Sequence, residues 1–139
     1  MLKFYFHQTP NPMKIALFLE ETGLDFELVP VDTLKGEQHT PEYRLINPNG
    51  KTPAIEDEGQ RVFDSNAILL YLSEKTGKLG GQPEDRAELL SWMMFIASGL
   101  GPYSGQSVHF RHAAPAGLDY AVNRYLREAQ RHYEVLEKH

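Results

Sequence analysis

Hydrophobic and polar positions change period several times along this chain, and each change marks an element. Over Leu2–Phe6 the apolar Leu2, Phe4 and Phe6 alternate with Lys3, Tyr5 and His7, the period-two pattern of a strand with one buried face. Gln8-Thr9-Pro10-Asn11-Pro12 reads as a stiff loop, with Asn11 as N-cap and Pro12 at the first helical position. From Met13 the period becomes helical. Ile15, Phe18, Leu19 and Thr22 follow i, i+3, i+4 and i+7, and Gly23 provides the stop. Phe26–Val31 is a second strand, so the order is β-α-β and the two strands are expected to be parallel.

A polar span, Asp32–His39, leads to Thr40-Pro41, an N-cap and first-turn proline that open a short helix to about Ile46. Pro53–Ile55 and Arg61–Phe63 are short strands around the acidic turn Glu56-Asp57-Glu58-Gly59, which predicts an antiparallel hairpin. Ser65–Thr76 is a helix with Ile68, Leu69, Leu72 and Thr76 on one face and Gly77 at its end. Residues 1–78 therefore read as a small α/β layer with a mixed sheet, and 79–82 as a linker. In 83–139 the pattern becomes all helical. Leu89, Trp92, Met93, Ile96 and Leu100 mark one helix from Pro83 to Gly99. Gly99–Pro115 reads as a long Gly/Pro/His-rich connection. Leu118, Val122, Tyr125, Ala129, His132 and Leu136 mark a second helix with a seam able to pack on another. Two helices bury little apolar surface, so the second domain is expected to be incomplete, or completed by another chain.

Composition narrows the function classes. The net charge of -5 and pI near 5.6 give no basic field for nucleic acid or an anionic membrane. No apolar run is long enough to span a bilayer, and the N-terminus lacks a signal-like apolar core. Cysteine is absent, which fits a reducing compartment and points to a cytoplasmic protein. It also means that any thiol chemistry must use sulfur brought by a ligand.

Two segments carry candidate chemistry: Asn47–Ile55, and Asp64-Ser65-Asn66-Ala67-Ile68. A cis bond at Thr52-Pro53 would turn the Thr52 N–H and C=O away from the sheet and free them for a peptide-like ligand; a plain edge-strand proline is the alternative. Asp64 and Ser65 open a helix, where unpaired N–H groups and the positive dipole end suit a carboxylate, while Asp64 suits an ammonium. Simple capping by either residue is the alternative. Gln38 and Lys51 flank this edge and could reach a second carboxylate. Thr9 and Asn11, at the first helix, could donate to a thiolate; lowering a thiol pKa by two units needs about 2.7 kcal/mol, within reach of two charge-assisted bonds and a helix end. Tyr5 could donate its phenol to the same sulfur, or simply pack. His109 and His112 are three apart, but nothing at helical spacing completes a metal site, and no metal is expected. His7, His39 and His132 stand isolated in the sequence.

Taken together, Thr9-Pro10-Asn11 after the first strand, Asn47-Pro48-x-Gly50-Lys51-x-Pro53-Ala54, and Asp64-Ser65-x-Ala67-Ile68-x-x-Tyr71-Leu72 resemble the glutathione transferase superfamily. Gly99-Leu100-Gly101-Pro102, Gly105-Gln106, Phe110, His112-Ala113-Ala114-Pro115 and Arg124-Tyr125 are similar to its bacterial Nu class. The resemblance implies a thioredoxin-like N-terminal domain carrying a glutathione site, followed by an all-helical domain. It implies that Thr52, before a cis-Pro53, pairs with the cysteinyl part of glutathione, and that Asp64 and Ser65 hold the γ-glutamyl end. Gln38 and Lys51 would face the glycyl carboxylate, Thr9 and Asn11 the sulfur, and Arg124, in the helical domain, the same cleft. The implied activity is glutathione-dependent disulfide reduction with one or two glutathione molecules, or their disulfide, bound in a homodimer. Conjugation of glutathione to electrophiles, and a non-catalytic binding module, are the alternatives. The chain departs from the family pattern in three respects. Asp64 stands where glutamate is commoner, Tyr5 aligns with the thiol-activating tyrosine of other classes, and the helical domain is shorter than the family's, as in a fragment.

Overall fold

Residues 1–139 are all described by a computed structural model. They divide into two units, Met1–Gly81 and Gln82–His139. The first unit is built on one mixed sheet with strand order β2-β1-β3-β4. Strands β1 (Leu2–Phe6) and β2 (Phe26–Pro30) run parallel and are joined by helix α1 (Pro10–Thr22), as the crossover requires. β3 (Ala54–Asp57) is antiparallel to β1, and β4 (Gln60–Phe63) is antiparallel to β3. Helix α2 (Pro41–Ile46) follows a single 3-10 turn at Glu37–His39, and α3 (Ser65–Thr76) follows β4. This is the thioredoxin-like α/β arrangement.

Alternation along the strands sorts the two faces. Leu2, Phe4 and Ile55 point to one face and meet Ile15, Phe18 and Leu19 of α1 and Ile68 and Leu72 of α3. Each such side chain contributes about 1.5–3 kcal/mol when fully buried. Ala54 points to the other face and packs with Val31 and Tyr43, flanked by Tyr5 and Ile46. At one end of the sheet Asp57, 3% exposed, accepts hydrogen bonds from Tyr71 (2.8 Å) and Lys75 (2.5 Å) and ties the hairpin to α3. Lys78 closes the same unit by donating to the Thr22 carbonyl at 2.6 Å.

Helix α1 starts earlier than the pattern suggests. It begins at Pro10, with Thr9 as N-cap, so Asn11 lies within the first turn rather than capping it. Both prolines fit there because the first-turn N–H groups have no helical acceptor to lose.

In the second unit a 3-10 turn at Pro83–Asp85 opens α4 (Arg86–Phe95), which runs through a π turn at Ile96–Leu100 into α5 (Gly101–His112). Helix α6 (Asp119–Glu137) follows. The stretch expected to be a connection from Gly99 to Pro115 is therefore largely helical, and the unit has three α-helices rather than two. The widened turn explains how. Gly101 N–H bonds to the Ile96 carbonyl, and the register shift accommodates Pro102, which has no N–H to give. Gly99 serves packing rather than a loop: a Cβ there would overlap the ring of His132. His132 is 4% exposed. Its Nδ1 donates to the Glu128 carbonyl at 2.6 Å, and its ring lies 5.0 Å from Phe95 and 5.3 Å from Tyr103. Phe110 stacks on Tyr125 at 5.1 Å and completes the α5–α6 contact.

Candidate functional site

Strand direction brings the candidate residues of the first unit to one end of the sheet. β1 ends at Phe6, and Thr9 and α1 follow. Because β3 is antiparallel to β1 and Ala54 pairs with Tyr5, the preceding Lys51, Thr52 and Pro53 lie at that same end. β4 returns there, with Phe63 opposite Ala54, so Asp64 and Ser65 follow at the same end. β2 also ends there, at Pro30 opposite Phe6, and leads toward Gln38. The Asp57–Lys75–Tyr71 cluster occupies the opposite end.

Local structure decides what each group offers. The Thr52-Pro53 bond is cis, and the Thr52 N–H and C=O lie outside the ladder and make no hydrogen bond within the chain. Pro10 and Pro12 carry no N–H, and Met13 N–H bonds to the Thr9 carbonyl at 3.2 Å. The first turn of α1 thus presents one free peptide donor, that of Asn11. The Asn11 amide joins it, exposed and unbonded. The Thr9 hydroxyl is engaged only weakly, at 3.5 Å from the His7 carbonyl. At α3, Asp64 is the N-cap and its Oδ1 accepts from Asn66 N–H (2.9 Å) and Ala67 N–H (3.3 Å). Two of the orphan donors expected for a ligand are therefore taken by Asp64 itself. The peptide N–H and hydroxyl of Ser65 stay free. Asp64 sits at φ 70, a conformation costly for a side chain bearing a Cβ.

Gln38 donates to the Thr33 carbonyl at 3.3 Å and contacts His39 at 3.2 Å, while its Oε1 is buried without a partner. Lys51 is exposed. Tyr5 packs edge-to-face on Tyr43 at 5.8 Å, and burial, then Glu56, push its phenol pKa up. Arg124 lies in the other unit, on α6, paired with Glu128 at 2.9 Å; Glu128 also holds Arg131 at 3.1 Å. These arginines keep the Glu128 carboxyl below its ordinary range, Arg131 contributing most. His109 and His112 are on α5, both exposed, and no group of three His, Asp or Glu is placed to hold a metal.

Two residues to which the motifs assign no role, Tyr43 and Asn47, fix the candidate edge. The Lys51 carbonyl accepts from Tyr43 Oη at 2.7 Å and from Asn47 Nδ2 at 2.6 Å, so the peptide leading into Thr52 is clamped by two buried side chains. Burial pushes the Tyr43 phenol up to about 12, which keeps it a donor. Asn47 also accepts from Asn49 N–H at 2.9 Å. Its place at the head of a Pro/Gly turn was the available signal. Gly50, at φ 63, lets that turn sit against Gln38 and His39, where a Cβ would come within 3.1 Å of both.

Comparison with known proteins gives the geometry a family. Residues 1–74 match the model of the glutathione S-transferase N-terminal domain. The chain is 49% identical to the disulfide-bond oxidoreductase YfcG of Escherichia coli, across 99% of this chain and 68% of that protein. It is 35% identical to the transcriptional regulator URE2 of Saccharomyces cerevisiae, across 96% of this chain and 41% of that one. Among solved structures, a Pseudomonas putida glutathione transferase with one glutathione disulfide bound per subunit superposes with TM-score 0.93 at 37% identity. That match covers 99% of this chain and 64% of the other. The chain thus spans about two thirds or less of the proteins it matches, and it belongs to the glutathione S-transferase family.

Proposed function

We propose that this chain carries the glutathione site of a glutathione-dependent disulfide-bond reductase. The observation that carries the reading is the open Thr52 peptide at one end of the sheet with two helix starts, in a chain without cysteine. A tripeptide can pair its cysteinyl main chain with Thr52 and bring the thiol that the protein lacks. Asp64 and Ser65 then take the γ-glutamyl end, Gln38 and Lys51 the glycyl carboxylate, and Thr9 and Asn11 the sulfur. Gln38 Nε2 is held by the Thr33 carbonyl and lies against His39, so it serves the glycyl carboxylate by giving up one of these contacts. Arg124 belongs to this reading on the family resemblance alone. The likeness to YfcG and to a transferase holding glutathione disulfide supports the choice of disulfide chemistry.

The reaction is thiol–disulfide exchange. Bound glutathione thiolate attacks one sulfur of the substrate disulfide, forms a mixed disulfide and expels the other sulfur as thiolate. A second glutathione thiolate attacks the glutathione sulfur of that mixed disulfide, giving glutathione disulfide and the second substrate thiol. The protein supplies positioning and donors to the charged sulfur, not a nucleophile. The working form is proposed to be a cytoplasmic homodimer.

The test is turnover of a small disulfide against that of a chlorinated aromatic, both with glutathione and the full-length protein. Faster reduction of the disulfide is expected. Much faster turnover of the aromatic would favour the conjugating reading. The likeness to URE2, a transcriptional regulator, supports a second reading as a binding module without catalysis. That reading predicts neither turnover.

A further inference from the structure

Helix α2 is anchored toward one edge of the sheet and leaves part of the face beneath it open. Arg61 of β4 pairs with Glu56 of β3 and donates to the Leu45 carbonyl of α2 at 3.1 Å. α2 therefore packs over β3 and β4, with Tyr43 against Ala54. At the other edge β2 has no strand beyond it. Tyr5 and Val29 are cross-strand neighbours on the face that α2 covers only in part. Between them and α2 lies a cavity of about 470 Å³, walled by Tyr5, Val29, Val31, Tyr43 and Ile46. That space suits a small molecule of roughly ten heavy atoms. The walls are held in place. Tyr43 Oη donates to the Lys51 carbonyl at 2.7 Å, and the Thr40 hydroxyl donates to the Glu37 carbonyl at 3.0 Å. Glu37 Oε2 accepts from Asp32 N–H at 2.6 Å, which fixes that carboxylate beside the cavity.

The charged part of the lining has one sign. Glu37 and Glu42 both border the cavity, and no lysine, arginine or histidine does. Val31 N–H bonds to the Phe6 carbonyl at 2.8 Å, so the preceding Pro30 turns away from β1. Pro30 has no N–H and offers only its carbonyl at the open edge of the sheet. The rings of Tyr5 and Tyr43 stand at 74° with centroids 5.8 Å apart and form an aromatic corner. Ring faces and two carboxylates around an apolar space favour an apolar body that carries a positive charge. An anion of the same shape would meet two like charges.

We propose that this cavity binds a small organic ammonium ion, an aryl- or alkylamine in its charged form. The apolar body lies against Val29, Ile46 and the two tyrosine rings. The ammonium sits at the rim, where Glu37 and Glu42 accept its hydrogen bonds. None of the residues assigned above to glutathione lines the cavity, so the two sites stand or fall independently.

The experiment is an amide-resolved NMR titration of the full chain at neutral pH with three probes of one shape. They are 2-phenylethylammonium, the neutral 2-phenylethanol and the anion 3-phenylpropionate. The expected result is that the ammonium shifts the signals of Tyr5, Val29, Val31, Tyr43 and Ile46. It should bind roughly tenfold more tightly than the alcohol, with the carboxylate weakest of the three. Glu37→Gln combined with Glu42→Gln should cost the ammonium that same factor of roughly ten and leave the alcohol unchanged. Val29→Phe, which fills the cavity, should weaken both. Equal affinity for the three probes would overturn the proposal, as would shifts confined to other residues or no binding at all. So would an equal loss for ammonium and alcohol in the double glutamine variant, the signature of a merely structural role for the two glutamates. Glutamine at 37 keeps an acceptor for Asp32 N–H, so the charge test stands even if the filled variant fails to fold; thermal melts establish which variants are folded.

Discussion

The clamp on the Lys51 carbonyl gives a quantitative prediction. That carbonyl receives two donors, Tyr43 Oη at 2.7 Å and Asn47 Nδ2 at 2.6 Å, both from side chains at most 7% exposed. Tyr43→Phe removes one bond and keeps the ring that packs on Tyr5, so it should cost about 1 kcal/mol. Asn47→Ala removes the other and also releases Asn49 N–H, so it should cost about 2 kcal/mol. In either variant the carbonyl retains a partner. In the double variant it has none, and the desolvation penalty adds about 1 kcal/mol beyond the sum of the singles. At about 4 °C per kcal/mol the melting temperature should fall by roughly 4, 8 and 16 °C in the three variants. The same loosening disorders the peptide that offers Thr52 to the ligand, so glutathione affinity should fall roughly tenfold in the double variant. Urea unfolding and calorimetric titration measure the two effects. Strict additivity of the three stabilities, or unaltered glutathione affinity in the double variant, would refute the clamp as the element that fixes the ligand edge.

Three further outcomes follow from other parts of the molecule. Gly99→Ala should destabilise the helical unit by about 1–3 kcal/mol despite the better helix propensity of alanine, and adding His132→Ala should restore part of the loss; urea midpoints showing no coupling would break the link between the two positions. Burial pushes the Asp57 carboxyl up, but the hydrogen bonds from Lys75 and Tyr71 and the Lys75 charge outweigh it and leave the folded value depressed. Its contribution is then present above the unfolded value near 4 and lost as pH falls through the folded one; Asp57→Asn should flatten the acid limb of the stability–pH curve below about pH 4, and an unchanged limb would show that another group sets it. Thr9→Ala combined with Asn11→Ala should lower disulfide turnover more than Tyr5→Phe, by roughly tenfold or more, as steady-state rates would report; the reverse order would move sulfur activation to β1.

The β-α-β crossover and the hairpin were legible because period and punctuation agree there. Leu2-Phe4-Phe6 and Ile15-Phe18-Leu19 have unmistakable repeats, and Gly23 and Gly77 stop their helices at φ 65, where the chain needs a residue without a Cβ. The candidate ligand edge was legible for a related reason. Asn47–Pro53 and Asp64-Ser65 are local motifs whose turn and capping chemistry depends on adjacent residues. Legibility failed where the deciding partner is remote. Gly99, Gly101, Pro102 and Gly105 look like a loop, yet they form a helix, because Gly99 makes room for His132 on α6 and a π turn accommodates Pro102.

By itself, then, the sequence determined the α/β order, the helix stops, the lack of any protein thiol and the short motifs at the strand ends. All of these depend on backbone preferences and on neighbours a few residues away. The tertiary structure alone decided that β1, β3 and β4 deliver those motifs to one end of the sheet, and that Tyr43 and Asn47 grip the Lys51 carbonyl. It also decided that His132 is the centre of the helical packing. Those facts are set by strand direction and by side chains meeting across distant segments, which no local period encodes.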